Sequence, residues 1–425
     1  MSRRLKIVLW HGYLLGGTGS NVYTRSLARV FSQLGHEVVV ICQDPDPEEY
    51  DLAGARVVRP DIGPLLPVFV LDAYAGVEAR LLGDLTVTER ARVVGANAAA
   101  LRAELPADLV LVNHVLLGAA VGAASGAPYV VKAHGSELEF AMRGNPELCA
   151  WARECLLSAR GVIAGSAHIV SVLEEVLGPG PHLDRVLTVP PGVDIDALRP
   201  RPRAEALNAL VAESRRDASN RPDQHDPRRP DDGNADRLAD FLAGAAPTVL
   251  YVGKLSREKG VHLLLDALCG LDARTVIVGF GPQRHALEQV AEGRVLFTGA
   301  LEHRHLANLW PLADVSVTPS VFPEAFGMVA AEAAACGSLP LVARHSGLAE
   351  LAGGLAEEYP AAWRDLVTFT PDDAGDLAVK LRTLLALSPD ERAELGRASR
   401  RAAVRLWGWE GIAARLLAAG ATAPG

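Results

Sequence analysis

The chain has 425 residues, 49% of them hydrophobic and 22% charged, which is enough for two α/β domains with substantial cores. Its 42 lysines and arginines are set against 51 aspartates and glutamates, a formal net charge of −9. That balance excludes a protein devoted to the nucleic-acid backbone, which carries a dense basic footprint; a local basic pocket for one small phosphate stays open.

Cys42, Cys149, Cys155, Cys269 and Cys336 are scattered, odd in number and without CxxC spacing. They read as buried thiols of a reducing compartment, which makes the cytoplasm the expected location. The opening MSRRLKIVLW is basic, then apolar, but the run is too short for a signal peptide and meets a Gly-rich turn. A first β-strand is expected there.

Next come a helix from about Asn21 to Leu34 and the strand HEVVVICQ, an order that marks βαβ units and a parallel sheet. LVLVNHV, APYVVKAHG, GVIAGS and RVLTVPPGVD continue the series. The uncharged stretch from Leu109 to Val131 approaches membrane-spanning length, but Asn113, His114, Ser125, Pro128 and several glycines interrupt it. Strand, Gly/Ala-rich helix and strand explain it better, since a parallel sheet covered on both faces produces such runs.

Between Arg201 and Gly244 the composition turns to Arg, Asp, Pro and Asn, as in SNRPDQHDPRRPDDGNAD. The nearly balanced charges predict a solvated, flexible insertion with no assigned role. A second α/β series follows: PTVLYVGKL, RTVIVGFG, RVLFTGAL, DVSVTPS and SLPLVAR. The last stretch, Asp390 to Ala419, is helix-rich and carries Trp407 and Trp409. The expected architecture is α/β, with two Rossmann-like domains facing across a cleft. Residues 1–195 form the first, with a C-terminal helix at about 405–425 packing back on it; 196–245 are linker and insertion, and 246–404 the second domain.

Four places carry candidate chemistry. Gly16, Gly17 and Gly19 precede a helix, where backbone N–H groups and a helix N-terminus favour an anion; a plain tight turn is the commoner reading, because any βα connection tolerates glycines and GxGxxG and GKS/GKT are both missing. In YVGKLSREKG a strand ends at Gly253 and delivers Lys254, Arg257 and Lys259, three cations suited to a diphosphate leaving group or simply a solvated basic turn. In SVFPEAFGMVAAEAAACG a helix should open at Phe326–Val329, leaving Glu324 in the loop and Glu332 inside. Two carboxylates there accept hydrogen bonds from sugar hydroxyls, or Glu324 merely complements the helix N-terminus and Glu332 faces solvent. His134 ends a strand of the first half and donates to a substrate hydroxyl, acts as acid or base, or bonds to backbone. Asn113 and His114 are placed similarly. His36, His114, His134 and His168 are too far apart for a zinc site, and neither HExxH nor GxSxG occurs. Metal-independent chemistry without a serine nucleophile is the expectation.

Together GGTGSNVYTRSLARVFSQLGHEV, KAHGSE, GSAHI, VPPGVD, VGKLSREKGVHLLLDAL, VGFGP, VLFTGAL, PEAFGMVAAEAAACG and HSGLAE resemble, in order and over most of the chain, the family 4 retaining glycosyltransferases with the GT-B fold. The resemblance implies that Lys254 and Lys259 hold the donor diphosphate, with Gly253 and Arg257 beside them. It gives Glu332 the ribose hydroxyls, and Glu324 with the amides of Phe326, Gly327, Met328 and Val329 the transferred sugar. Gly16 and Gly17 would lie under the diphosphate or acceptor, His134 would touch the donor sugar, and VGFGP, with Gly279, would border the base together with VLFTGAL. The implied catalytic set is His134, Lys254, Lys259 and Glu324. Acceptor contacts would come from Tyr13, Asn113, Ser136 and Glu137. Related enzymes commonly carry Arg at Lys254, and Lys lacks the planar two-pronged fork.

The implied reaction is retaining transfer without a covalent enzyme intermediate. Phosphate charge stabilisation and domain closure would drive it. The donor is a UDP- or GDP-linked sugar as co-substrate, with no other cofactor and no metal; the acceptor is a small molecule, a glycan or a lipid headgroup. A phosphorylase or epimerase of the same plan and a catalytically inactive nucleotide-sugar binder are the alternatives. Nucleic acid is not an expected partner, oligomeric state is open, and peripheral membrane contact through Leu14, Leu15 and PLLPVFVL is an expectation to test.

Overall fold

A computed structural model describes residues 3–17, 19–71, 77–218, 229–244 and 246–422. Residues 219–228, the centre of the expected insertion, lie outside the described residues, as does Thr18 of the Gly-rich turn. The chain forms two compact units. Unit 1 comprises Met1–Gly192 with Trp409–Gly425, and unit 2 comprises Val193–Gly408.

In unit 1 the strands are β1 (Lys6–Trp10), β2 (Glu37–Ile41), β3 (Arg56–Val58), β4 (Leu65–Val68), β5 (Glu78–Leu81), β6 (Leu109–Asn113), β7 (Val130–Lys132), β8 (Gly161–Ala164) and β9 (Val186–Thr188). Seven of them make a parallel sheet in the order β3-β2-β1-β6-β7-β8-β9, while β4 and β5 pair separately. The order reverses between β1 and β6, the Rossmann switch point. The helix Gly19–Gln33 buries Tyr23, Leu27, Ala28 and Phe31, a stripe at helical spacing. The C-terminal helix Trp409–Thr422 lies in the same unit: Ile412, Ala413 and Leu416 join the core around Ile7, Leu9 and Phe31, and the Trp409 ring sits 5.6 Å from Tyr23.

Leu109–Val131 resolves into β6, the helix Leu117–Ser125 and β7. Among the described residues no helix is long and apolar enough to cross a membrane. The apolar patch expected at Leu15 and PLLPVFVL is largely corrected, because Leu15, Leu65, Leu66, Val68 and Phe69 are buried; Val70 and Leu71 are the exposed part. β4 and β5 pair along this segment and turn its side chains inward.

Unit 2 has β10 (Thr248–Val252), β11 (Arg274–Val278), β12 (Arg294–Phe297), β13 (Val315–Thr318), β14 (Leu339–Ala343) and β15 (Thr368–Phe369). They form one parallel sheet in the order β12-β11-β10-β13-β14-β15, again the Rossmann order with its switch point between β10 and β13. The helix Met328–Ala335 is nearly all alanine on its buried side. Small side chains allow the close approach of helix Pro389–Trp407, where Gly396 comes against the backbone of Gly337.

Two expectations change here. The segment read as a flexible insertion contains the helices Arg203–Ser214 and Asn234–Leu242, whose Ala206, Leu210, Leu238 and Leu242 are buried in the unit 2 core. Each helix carries an i, i+4 apolar pair, which suffices for docking within polar surroundings. Cys269 is exposed, whereas the other four cysteines are buried as expected.

Candidate active site

In unit 2 the chain leaves β10 through Gly253 and Lys254, makes a short turn at Arg257–Lys259 and enters the helix Val261–Leu268. Tyr251 Oη donates to the Lys254 carbonyl at 2.9 Å, and burial, then the charge of Glu324, raises this phenol above its usual pKa. The amides of Val321 and Phe322 both donate to the Glu258 carbonyl, at 2.9 and 3.2 Å. These bonds stitch the loop after β10 to the loop after β13. Backbone contact continues at Gly279, whose φ is +139° and where a Cβ would stand 1.8 Å from the Gly253 carbonyl oxygen; no other residue fits.

The stitching brings Lys259 Nζ to 2.5 Å from Glu324 Oε1. Ser320 Oγ donates to the same oxygen at 2.7 Å. The main chain of Glu324 is fixed from the other side, its N–H donating to Ser346 Oγ at 2.9 Å and its carbonyl accepting from Gly347 N at 3.0 Å. His345 Nε2 lies 2.6 Å from the Ser320 carbonyl, which only accepts, so Nε2 carries the proton and Nδ1 accepts from Ser346 Oγ at 2.9 Å. Lys259 and Glu324 keep side-chain exposures of 36% and 21%, so a ligand reaches both. Lys254 and Arg257 are exposed on the same turn.

Glu332 sits on the helix Met328–Ala335, 7% exposed, with Oε1 3.3 Å from His303 Nε2. It is therefore not a solvent-facing residue. Phe326 is buried with its ring 5.9 Å from that of Trp407, so its side chain belongs to the core and only its backbone is available to a ligand. Gly327 precedes the helix, and Met328 and Val329 are half-buried in its first turn.

Unit 1 gathers its candidates at the carboxyl ends of β1, β6 and β7. Asn113 Nδ2 donates to the Trp10 carbonyl at 3.0 Å, and Asn113 Oδ1 faces His134 Nε2 at 2.8 Å. This places the His134 ring proton on Nε2 and leaves Nδ1 as its acceptor. Burial, then the neighbours His114, Lys132 and His11, hold the His134 pKa well below the usual imidazole value. Glu137 organises the cluster: Oε1 accepts the His134 N–H at 2.8 Å and the Val115 N–H at 3.4 Å, while Oε2 lies 3.1 Å from His114 Nδ1. The His114 and His134 rings are 4.6 Å apart, and Tyr13 sits edge-on to His114 at 5.2 Å. Ser136 is half-buried just before the turn Glu137–Met142. The Gly16 carbonyl accepts from Asn21 Nδ2, and Gly17 is left-handed ahead of the helix Gly19–Gln33.

Of the expected acceptor contacts, Glu137 is wholly buried and Asn113 1% exposed, both bonded within the unit. Sequence reasoning passed over His11, Lys132, His303, Ser320, His345 and Ser346. Buried His11 bonds Asn21 Oδ1 through Nε2 at 2.7 Å, and burial, then His114, lowers its pKa to about 3. Lys132 Nζ donates to the Val189 carbonyl at 3.1 Å, 5.5 Å over the Tyr23 ring, and burial lowers its pKa to about 7. Their shared signal is a polar residue at or just beyond the carboxyl end of an apolar strand. Among the described residues no group of three or more His, Cys, Asp or Glu is arranged to hold a metal ion.

Two Rossmann units with cations, carboxylates and glycine turns at their carboxyl edges define the GT-B plan. Solved structures share the fold: sucrose-phosphate synthase from Thermosynechococcus elongatus, at 23% identity and a TM-score of 0.69 over 97% of each chain, and Anabaena HepE in complex with UDP and glucose, at 17% and 0.67 over 98% of this chain and 99% of that one. The family models Glycosyltransferase Family 4 and Glycosyl transferases group 1 match residues 17–197 and 246–386. The chain belongs to the family 4 glycosyltransferases of GT-B fold. A D-inositol 3-phosphate glycosyltransferase of Xylanimonas cellulosilytica is 32% identical over 278 residues, covering 60% of this chain and 57% of the relative. A GDP-mannose-dependent alpha-(1-6)-phosphatidylinositol dimannoside mannosyltransferase of Mycobacterium tuberculosis is 36% identical over 188 residues, covering 41% and 44%. The chain thus spans about half the length of the curated relatives it matches.

Proposed function

We propose that the chain transfers a sugar, with retention of configuration and without a metal ion, from a UDP- or GDP-linked donor to a small-molecule, glycan or lipid-headgroup acceptor. The reading rests on the Lys259–Glu324 pair at the β10/β13 switch point, 2.5 Å apart and open to solvent. A diphosphate placed there takes over the Lys259 ammonium, with Lys254 and Arg257 adding charge as the bond from phosphate oxygen to sugar carbon breaks. The amides at the start of helix Met328–Ala335 contribute partial positive charge. Glu324, released from Lys259 and held by Ser320 and Ser346, then accepts from a sugar hydroxyl, and Glu332 from the ribose.

In unit 1 His134 is read as contacting the substrate, one of its expected roles. With its Nε2 proton engaged by Asn113, it accepts from a substrate hydroxyl through Nδ1. The leaving diphosphate takes the acceptor's proton, so no protein nucleophile is needed. Both relatives are named for inositol-containing acceptors, which makes a phosphorylated cyclitol the first acceptor to try.

The test is incubation with α-linked UDP- and GDP-sugars and a panel of cyclitol phosphates, glycans and phosphoinositides, following nucleotide release and the anomeric configuration of the product by NMR. Release of UDP or GDP with an α-linked product supports the reading. Nucleotide binding with no transfer to any acceptor in the panel overturns it in favour of a binding protein, and a β-linked product overturns retention.

A further inference from the structure

The charged segment around residues 201–244, which had no expected role, grips one loop of unit 2 from two sides. β12 is the edge strand of that sheet. Past its carboxyl end Pro230 pairs antiparallel with Gly299, and the Thr298 carbonyl accepts from Asp231 N and from Asn234 Nδ2, each at 2.8 Å. The Arg284 guanidinium grips Asp231 with both prongs, at 2.8 and 2.5 Å, and Arg237 bonds both Asp231 and the Phe297 carbonyl. Gly299 has φ +69°, and a Cβ there would stand 2.7 Å from Asp231 Oδ1, so the pairing requires glycine.

The other limb holds the far end of the same loop. Arg304 donates to the Glu213 carbonyl at 3.1 Å and to Glu213 Oε2 at 3.0 Å, and also bonds Asp217, whose Oδ2 lies 3.0 Å from His305 Nε2. Between the limbs run Thr298–Glu302 and then His303, which bonds Glu332. Gly299 also accepts from Gly279 N at 2.8 Å, tying the loop to the turn after β11.

We propose that this two-sided clamp positions residues 298–303 as the wall against which the base of a nucleoside diphosphate lies, with Asp231 as its principal positioning residue. The inference rests on the donor-site reading above. On the β14 side of the Lys259–Glu324 pair the space is taken by Ser320, His345 and Ser346. On the β11–β12 side Gly279 lies against the Gly253 carbonyl and donates to the Gly299 carbonyl at 2.8 Å, so the clamped loop borders the turn that delivers Lys254 and offers main-chain donors and acceptors there. A ring read by backbone is discriminated only if that backbone is held still. Leu301 packs against the unit 2 core, and the carboxylates of the charged segment hold the loop on either side of it.

The experiment is isothermal titration of the full chain with UDP, GDP and ADP, comparing wild type with Asp231→Asn, Arg284→Gln and Asp231→Glu, with folding checked by circular dichroism. The clamp predicts a wild-type preference for one base. In Asp231→Asn and Arg284→Gln the Kd of that nucleotide rises about tenfold and the ratio between tightest and weakest nucleotide narrows, as loss of a charge-assisted bond to a positioning group implies; Asp231→Glu recovers part of both. Folded variants with unchanged Kd, or with all three nucleotides weakened equally, overturn the clamp and leave the donor site standing, as does a wild type that binds the three alike. A wild type that binds none of them overturns donor site and clamp together.

Discussion

Lys259 donates to Glu324 across 2.5 Å although the two are 65 residues apart. The pair closes the gap between the loops after β10 and β13 and keeps part of its surface in solvent. Lys259→Ala is expected to weaken nucleotide binding by roughly 1.5 to 3 kcal/mol, the range for hydrogen bonds to charged groups, measured by titration calorimetry. Glu324→Ala should cut turnover strongly while the fold survives. Normal turnover in a folded Glu324→Ala variant would remove that residue from the site.

Glu137 is the opposite case, with both carboxylate oxygens bonded in the interior. Glu137→Gln keeps the shape but loses the charge and disturbs the acceptor pattern. A loss of about 1 to 3 kcal/mol in unfolding free energy is expected, read from urea denaturation; a variant as stable as the wild type refutes the organising role.

The buried Lys132 makes stability depend on pH with a definite sign. Its folded pKa is lowered from 10.5 to about 7 by burial, so between these values the unfolded chain binds more protons than the folded one, and this group's contribution rises with pH. Lys132→Met should therefore stabilise the protein most at pH 6 and progressively less toward pH 9, seen as a shrinking difference in Tm. A difference independent of pH would contradict the assignment.

His11 acts at the acid end. With a folded value of about 3 against an ordinary 6.5, the folded chain resists protonation and stability falls as pH drops below 6.5 toward 3. His134, also lowered, adds in the same direction. His11→Asn should flatten the decline of Tm between pH 6.5 and 4.

Adding a chelator to the assay should leave sugar transfer intact, because the charge set assigned to the leaving group consists of side chains. Activity lost on chelation and restored only by a divalent ion would replace the proposed mechanism.

Trp409 is 6% exposed, with Gly192 directly against its ring. Trp409→Ala is expected to cost about 3 to 5 kcal/mol, the range for a large core aromatic. Denaturant unfolding followed by circular dichroism measures it.

Much of this was readable from the chain as letters. Alternating apolar runs and helical stripes mark nearly every sheet strand, because period and β-branching are local properties. The loops with Lys254, Lys259 and Glu324 stand out for the same reason, being polar residues at strand ends. What could not be read is which polar groups face inward and with whom. The helices Arg203–Ser214 and Asn234–Leu242 hide their short apolar pairs among charges, and Cys269 looks no different from its four buried counterparts. Asn113 meets Trp10 across 103 residues, and Glu137 is removed from water only once β6 and β7 lie side by side. Local periodicity is written in neighbouring residues. Burial, protonation and hydrogen-bond partnership arise from segments far apart in the chain, and they come into being when the two sheets assemble.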